Sequence, residues 1–570
     1  MRKKSFFKTT TGVALGAALL MSQAASVHAF SFHNGKLKGA FDTDLTYGIS
    51  MRTEDADKGF SNFGAQGNRN FKDAGDVFSN AIRGSSTLAL DYGNYGLLAR
   101  GNYFYDNAYD QEDLADDAHD KLVRDVALTD LMVYGYFGDN DQVNIRVGKQ
   151  VISWGENTFI QGSINDINTV DLNKLRQPGK ALKDAFIGTN SAYITWNIDD
   201  EWTLESFYLF EYDQIQLDPA GAFFTTLDAV GAGGGYDDAG DGVIGGVATG
   251  KATLPFGAPS GACISPDGLD DCGLVGGSLV RVGDNAPDGD QYGFALRKFF
   301  PEAFGGTEVA LYYQNLHDHT PMLSSYYGTG QFFLDYVENI ERIGMSFNTN
   351  IAGWAIAGEY HVRKDAPIQM TGPVYAGLGA VGPFPAGLGL CASCAPGDEV
   401  KGYELVDRHQ MQMTFQRIWG VNEWLGADAN MTLLEVAYGW VDDLPEKNEA
   451  LGVLGARTVF TPQVTDHFWG FQIKQSITYE AALFNVASVS PFIAFKYDVE
   501  GVSNEIIPLF VDDRKALTVG ANFGYGGGTI TGGVSWTMFD GANAMLNQAG
   551  SRLNGRTDRD FVQANISYSF

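Results

Sequence analysis

The chain has 570 residues and a formal charge of −30, with 13% aromatic residues, 71 glycines and only four cysteines. So acidic a chain has no bulk attraction for nucleic acid, and none is expected as a partner. The length suits several soluble domains or one large barrel, and the abundance of aromatic residues and glycine favours the barrel.

Residues 1–29 read as a signal peptide. Arg2, Lys3, Lys4 and Lys8 form the basic start, and Gly12 to Met21 is a short apolar stretch. Val27 and Ala29 are the small residues that precede a cut before Phe30. The apolar stretch is too short to span a bilayer, and no run of 18 apolar residues follows it. The expectation is an exported protein without a transmembrane helix.

From residue 30 onward the dominant signal is a period of two. Leu37, Phe41, Leu45, Tyr47, Ile49 and Met51 interleave with Lys36, Lys38, Asp42, Asp44, Thr46 and Ser50. Successive strand residues point to opposite faces, so this pattern is a wall with one apolar side. It predicts strands near 36–52, 80–92, 95–106, 127–137, 142–152, 190–198, 202–213, 290–299 and 307–316. Further strands are expected near 338–348, 351–363, 406–418, 426–440, 466–480, 486–499, 513–524, 529–539 and 560–570. Links after even strands are short, as at Gly93-Asn94 and Asn348-Thr349-Asn350, and links after odd strands are long. Short periplasmic turns alternating with long outer loops are the asymmetry of bacterial outer-membrane barrels. The predicted fold is therefore all-β: a transmembrane antiparallel β-barrel of about 18 strands over residues 30–570. Its expected surroundings are the outer-membrane lipid and lipopolysaccharide of a Gram-negative cell. Phe570, with Tyr568 two residues before it, resembles the terminal signal read by the barrel-assembly machinery.

If the apolar set faces lipid, Asp42, Asp44, Arg100, Arg146, Glu205, Glu211 and Lys474 face the lumen. Phe104, Phe207, Leu209 and Phe492 fall on the same inward set, which implies either shifted registers or an apolar strip inside. The link over residues 153–189 is the third outer loop. Its cations Lys174, Arg176, Lys180 and Lys183 predict a loop folded inward as a constriction that attracts anions. The alternative pairs these cations with acidic wall residues. A short helix is expected around Leu182 to Ile187.

Other features carry less. Cys263 with Cys272, and Cys391 with Cys394, read as loop disulfides formed in an oxidising compartment. Asp237 to Gly242 partly matches a calcium loop, but Ala239 and Ala248 occupy ligand positions, so a plain acidic turn is expected. The sixth outer loop, Ala366 to Leu390, is apolar and is expected to pack on other loops. The run His317-Asp318-His319 has metal-type donors, but three such residues in a polar loop are expected to be solvated, and no G-x-S-x-G elbow accompanies His361, His409 or His467. No catalytic residue, metal or cofactor is assigned.

The stretch Arg146 to Glu156, with Asn165 to Leu175 and Trp202 to Asp213, resembles a large uncharacterised family. Its members are porin-like outer-membrane barrels of proteobacteria, filed as a domain of unknown function. They are often encoded beside a periplasmic partner and an RND-type permease. The resemblance implies a barrel that works with an envelope transport system, on lipid-like or other hydrophobic compounds. The functional expectation is a channel or transporter for small molecules. The alternative is a receptor, adhesin or structural barrel with a closed lumen.

Overall fold

The computed structural model describes residues 30–57, 66–179, 184–225, 228–234, 242–244, 279–329, 331–370, 394–444, 464–503, 505, 508–542 and 554–570. Eighteen antiparallel strands form the wall, numbered here in chain order. They begin with β1 (Leu37–Arg52), β2 (Val77–Tyr92), β3 (Tyr95–Asp106), β4 (Arg124–Phe137), β5 (Val143–Gln150) and β6 (Thr189–Asn197). Next come β7 (Trp202–Leu209), β8 (Gln291–Phe300), β9 (Thr307–Leu316), β10 (Ile340–Ile351), β11 (Trp354–Gln369) and β12 (Tyr403–Ile418). The last six are β13 (Ala429–Val441), β14 (His467–Leu483), β15 (Ala487–Glu500), β16 (Arg514–Tyr525), β17 (Ile530–Asp540) and β18 (Phe561–Ser569).

Each strand pairs with the next, and β18 pairs with β1 over Asp44↔Ser569 to Arg52↔Phe561. The sheet therefore closes on itself, which leaves no edge with bare backbone groups. A short strand, Phe30–Asn34, covers the start of β1 where β18 has ended. No helix among the described residues is long and apolar enough to cross a membrane.

Register explains which face meets lipid. One row of directly paired residues runs Trp196, Leu204, Leu296, Leu311, Met345, Tyr360, Met411, Tyr438, Trp469 across nine strands, β6 to β14. Aliphatic and methionine side chains occupy most of its middle and aromatic ones its ends. That is an apolar belt between two aromatic girdles. The next row points the other way and is polar or small: Ser346, Glu359, Gln412, Ala437 and Gly470.

Two differences from the sequence reading have local causes. Asn348, Thr349 and Asn350 are still paired inside β10, and the turn follows at Ala352-Gly353, both with positive φ. The polar residues there looked like a turn, but they lie on a wall that is already leaving the membrane. The outer loops also build a second sheet from Gly242–Ile244, Leu279–Asn285, Met322–Tyr326, Gln331–Asp335 and Glu399–Val400. Gln369, at the end of β11, bonds Leu323 at both its N–H and its C=O and holds that sheet to the wall. Ala366 to Gln369, expected as loop, are therefore strand, and residues 371–390 lie outside the described residues.

Leu311, 57% exposed, sits midway along the outward row. Replacement by arginine is expected to cost about 2–4 kcal/mol of barrel stability, measured by urea unfolding in lipid vesicles.

Candidate functional site

An 18-stranded wall encloses more space than its own side chains fill. Here the third outer loop enters that space. Its first half lies against an apolar strip: Trp154 packs on Phe207 and Tyr312 at centroid distances of 4.8 and 5.8 Å, and its indole N–H donates to the Tyr193 hydroxyl at 3.2 Å. Ile152, Ile164, Ile167 and Leu209 belong to the same cluster. Phe207 and Leu209 thus form a strip inside the barrel, and the loop covers it.

The loop then runs along the wall from β9 to β13. Its backbone polar groups have left the sheet and need partners where they are buried. Wall side chains supply them. Glu435 on β13, fully buried, accepts the backbone N–H groups of Thr158, Phe159 and Ile160 at 2.8, 2.6 and 2.7 Å. Glu359 on β11 accepts those of Glu156 and Ile164 at 2.7 and 3.1 Å. Gln314 and Gln410 donate to the carbonyls of Ile164 and Gln161 at 3.0 and 3.1 Å. The wall makes room with glycine: a Cβ at Gly344 would lie 2.8 Å from Ile164, and one at Gly48 2.5 Å from Pro178.

Three arginines stand side by side in register at the height of this loop. Arg342 faces Arg363, and Arg363 faces Arg408, on β10, β11 and β12. Like charges so placed repel, and each is answered by a carboxylate from a different loop. Asp166 of the third loop lies 3.1 Å from Arg342 and 3.7 Å from Arg363. Asp318 of the fifth loop lies 2.9 Å from Arg363, and Glu505 of the eighth pairs with Arg408. Burial would raise both Asp166 and Glu505. The arginines outweigh it: Arg342 and Arg363 hold Asp166 below its ordinary value, and Arg408 holds Glu505 below its own.

Between these loops and the wall lies a cavity of about 370 Å³. Its charged lining is Arg176, Arg363, Arg408, Lys496, Arg514 and Arg556 against Asp166, Asp318, Asp498 and Glu505. Cations outnumber acids there, the reverse of the whole chain. Of the four loop cations singled out in the sequence, Lys174 bonds Asp125 of β4 at 2.6 Å, and Arg176 lines the cavity while paired with Asp218. Lys180 and Lys183 lie outside the described residues. Among the described residues the helix of this loop is Leu172–Arg176, capped by Asp171; of the segment expected as a helix, Leu182 and Lys183 lie outside the described residues. Phe186 instead forms an extended bridge with Val170.

The wall residues are placed as follows. Asp44 bonds Ser569 at 2.5 Å, and Thr87, the register partner of Asp42, takes a bond from Arg100 at 3.2 Å. Arg100 pairs with Asp130 at 3.1 Å. Arg146 lies over the Tyr193 ring at 4.2 Å, Arg297 holds Glu205 at 3.2 Å, and Lys474 lies over Phe492 at 5.0 Å. Glu211 is beyond the end of β7 and bonds Asn190 at 2.9 Å on the exposed side, because the alternation stops with the strand. His317 and His319 are buried on backbone carbonyls, at 2.9 Å from Gly289 and 2.8 Å from Asp213. No group of three or more metal-type ligands occurs among the described residues. Cys394 is disulfide-bonded. Cys263, Cys272, Cys391 and the acidic run from Asp237 to Asp241 lie outside the described residues.

The fold and the inserted third loop define a large membrane-spanning β-barrel that holds part of its own outer loops inside. The chain belongs to the family described as "Protein of unknown function (DUF1302)", which it matches over residues 10–570. No curated protein matches it. Among solved structures it is distantly similar to OccAB3 of Acinetobacter baumannii, at 8% identity and a TM-score of 0.43, covering 93% of this chain and 99% of that one. It is also similar to the outer membrane protein opdK of Pseudomonas aeruginosa (10%, 0.40; 93% and 98% covered). A BenF-like porin of Pseudomonas fluorescens Pf-5 is a further likeness (9%, 0.42; 93% and 98%).

Glu435→Gln removes the charge on which three amides converge. Hydrogen exchange at Thr158, Phe159 and Ile160 is expected to quicken by roughly tenfold or more. The loop tethers also carry a pH signature. A depressed carboxylate stabilises above its ordinary value and is lost only as pH falls through the depressed one. The third and eighth loops should therefore stay docked at pH 5 and release only below the ordinary values of 3.8 for Asp166 and 4.5 for Glu505, read by protease accessibility across a pH series.

Proposed function

We propose that the protein is an outer-membrane channel for small molecules, selective for anions. The observation that carries this is the inversion of sign: a strongly acidic chain concentrates arginine and lysine around the cavity in its lumen. Cations on a low-dielectric wall raise the local concentration of anions and lower their barrier to entry. The arginine row of β10 to β12 is the selectivity element, because its charges are fixed on the sheet while the carboxylates that answer them ride on loops. A small carboxylate or phosphate can take the place of a loop carboxylate at an arginine without leaving a buried charge unpaired. The apolar part of the cavity lining, which includes Leu172, Leu175, Phe186, Ile215 and Leu217, favours anions with a hydrophobic body. Through its family, the same reading includes a periplasmic transport partner at the short-turn rim.

Conductance of the refolded full chain in planar bilayers tests this. Stepwise currents with a reversal potential favouring chloride over potassium are expected, and Arg363→Gln should reduce that preference. A folded barrel without current would favour the closed-lumen alternative, since the third loop is pinned to the wall.

A further inference from the structure

Among the cavity cations, Arg556 stands apart. Arg176 is paired with Asp218, Arg408 with Glu505, and both Arg514 and Lys496 with Asp498, the last two at 2.6 and 3.6 Å. Arg556 comes from the ninth outer loop, and its side chain lines the same cavity. Among the described residues no carboxylate is within ion-pair distance of its guanidinium, and its hydrogen bonds are those of its backbone, the N–H to Asn554 at 3.2 Å and the carbonyl from the Arg559 N–H at 3.0 Å. Its electrostatic neighbours are mostly cations: Arg176, Arg514 and Arg559. Asp218, the acid that acts on it, is already bonded to Arg176. Burial, then Arg176 and Arg514, push its guanidinium well below its ordinary range.

Arg556 is partly buried and lines the cavity, and a cation there with no carboxylate beside it can be answered by an anion that enters. The surroundings define what that ligand is. Apolar residues adjoin the cationic pole: Leu175 precedes Arg176 in the chain, Leu217 precedes Asp218, and the Leu509 carbonyl accepts from Arg514 at 2.6 Å. We propose that this part of the cavity is a binding subsite for a small amphipathic anion. Its carboxylate or phosphate head sits on Arg556 between Arg176 and Arg514, and its aliphatic body lies on Leu175, Leu217 and Leu509. The inference rests on the channel reading and adds a saturable site to it. Arg556 is the residue that sets specificity, because its donors are not committed to the protein. A guanidinium offers a planar fork that matches either kind of head.

The test uses octanoate as the probe, with acetate as the head alone and octyl phosphate as the same body with the other head. In planar bilayers holding the full chain in potassium chloride, octanoate or octyl phosphate should reduce chloride current at concentrations where acetate does not. Whichever of the two acts at lower concentration identifies the head. Arg556→Gln should raise the half-blocking concentration roughly tenfold or more, the loss of a charged hydrogen bond. Lys298→Gln, at the short-turn rim, should not. Heat-shifted mobility on gels confirms that each variant is folded. Binding is measured separately as retention of labelled octanoate by the barrel in nanodiscs, with empty discs subtracted. Saturable retention that Arg556→Gln weakens supports the subsite even where no current flows. Equal retention by wild type and Arg556→Gln overturns it, as does block by acetate at the same concentration as octanoate. Absence of chloride current, by contrast, removes only the channel reading.

Discussion

A backbone amide left unpaired in hydrocarbon costs several kcal/mol, and this penalty governs the molecule at two levels. In the wall it forces closure, so β18 must find β1. In the lumen it returns in another form. An 18-stranded ring is too wide for its side chains to fill, and the third loop that enters brings backbone groups no ladder can satisfy. Glu435 and Glu359 answer five of those N–H groups from the wall, and Gln314, Gln410 and Arg342 answer carbonyls. Glu435 and Glu359 are therefore acceptors for loop backbone, and among the described residues neither is in an ion pair.

Once the loops are seated, charge follows. The wall offers Arg342, Arg363 and Arg408, and the loops offer Asp166, Asp318 and Glu505. These pairs are partly exchangeable by nature: one member is fixed on a sheet, and the other belongs to a segment held by a handful of contacts. The lumen is thus held in shape by the same kind of bond that an anionic solute would make on its way through.

The wall was legible in the sequence because a period of two is a local property. Each of the 18 expected strands overlaps an observed one, and the largest slip came at the outer end of β11, expected to stop near 363 and running to Gln369, where it meets the second sheet. The lumen was legible only as a set of residue types. That Arg146 or Lys474 would point inward follows from parity, but its neighbour follows from register and from the path of a loop. The arginine row shows the difference: Arg342, Arg363 and Arg408 lie on separate strands and become neighbours only through pairing. No spacing in the chain announces them. The basic run of the third loop was conspicuous by contrast, yet the wall residue Asp125 takes up Lys174. The apolar entries on the inward set, Phe207 and Leu209, were the one hint that something would cover them.

The seam joins residues at opposite ends of the chain: Ser569 bonds Asp44 across 525 positions. Such a contact closes the largest loop the chain contains, so it forms last. Until then the growing sheet has two raw margins, each able to recruit a strand from another chain. Assembly accordingly has a late point of commitment. A chain interrupted within Phe561–Ser569 would not give a slightly weaker barrel but an open curl with two sticky margins, and the loops inside would have no ring to hold them.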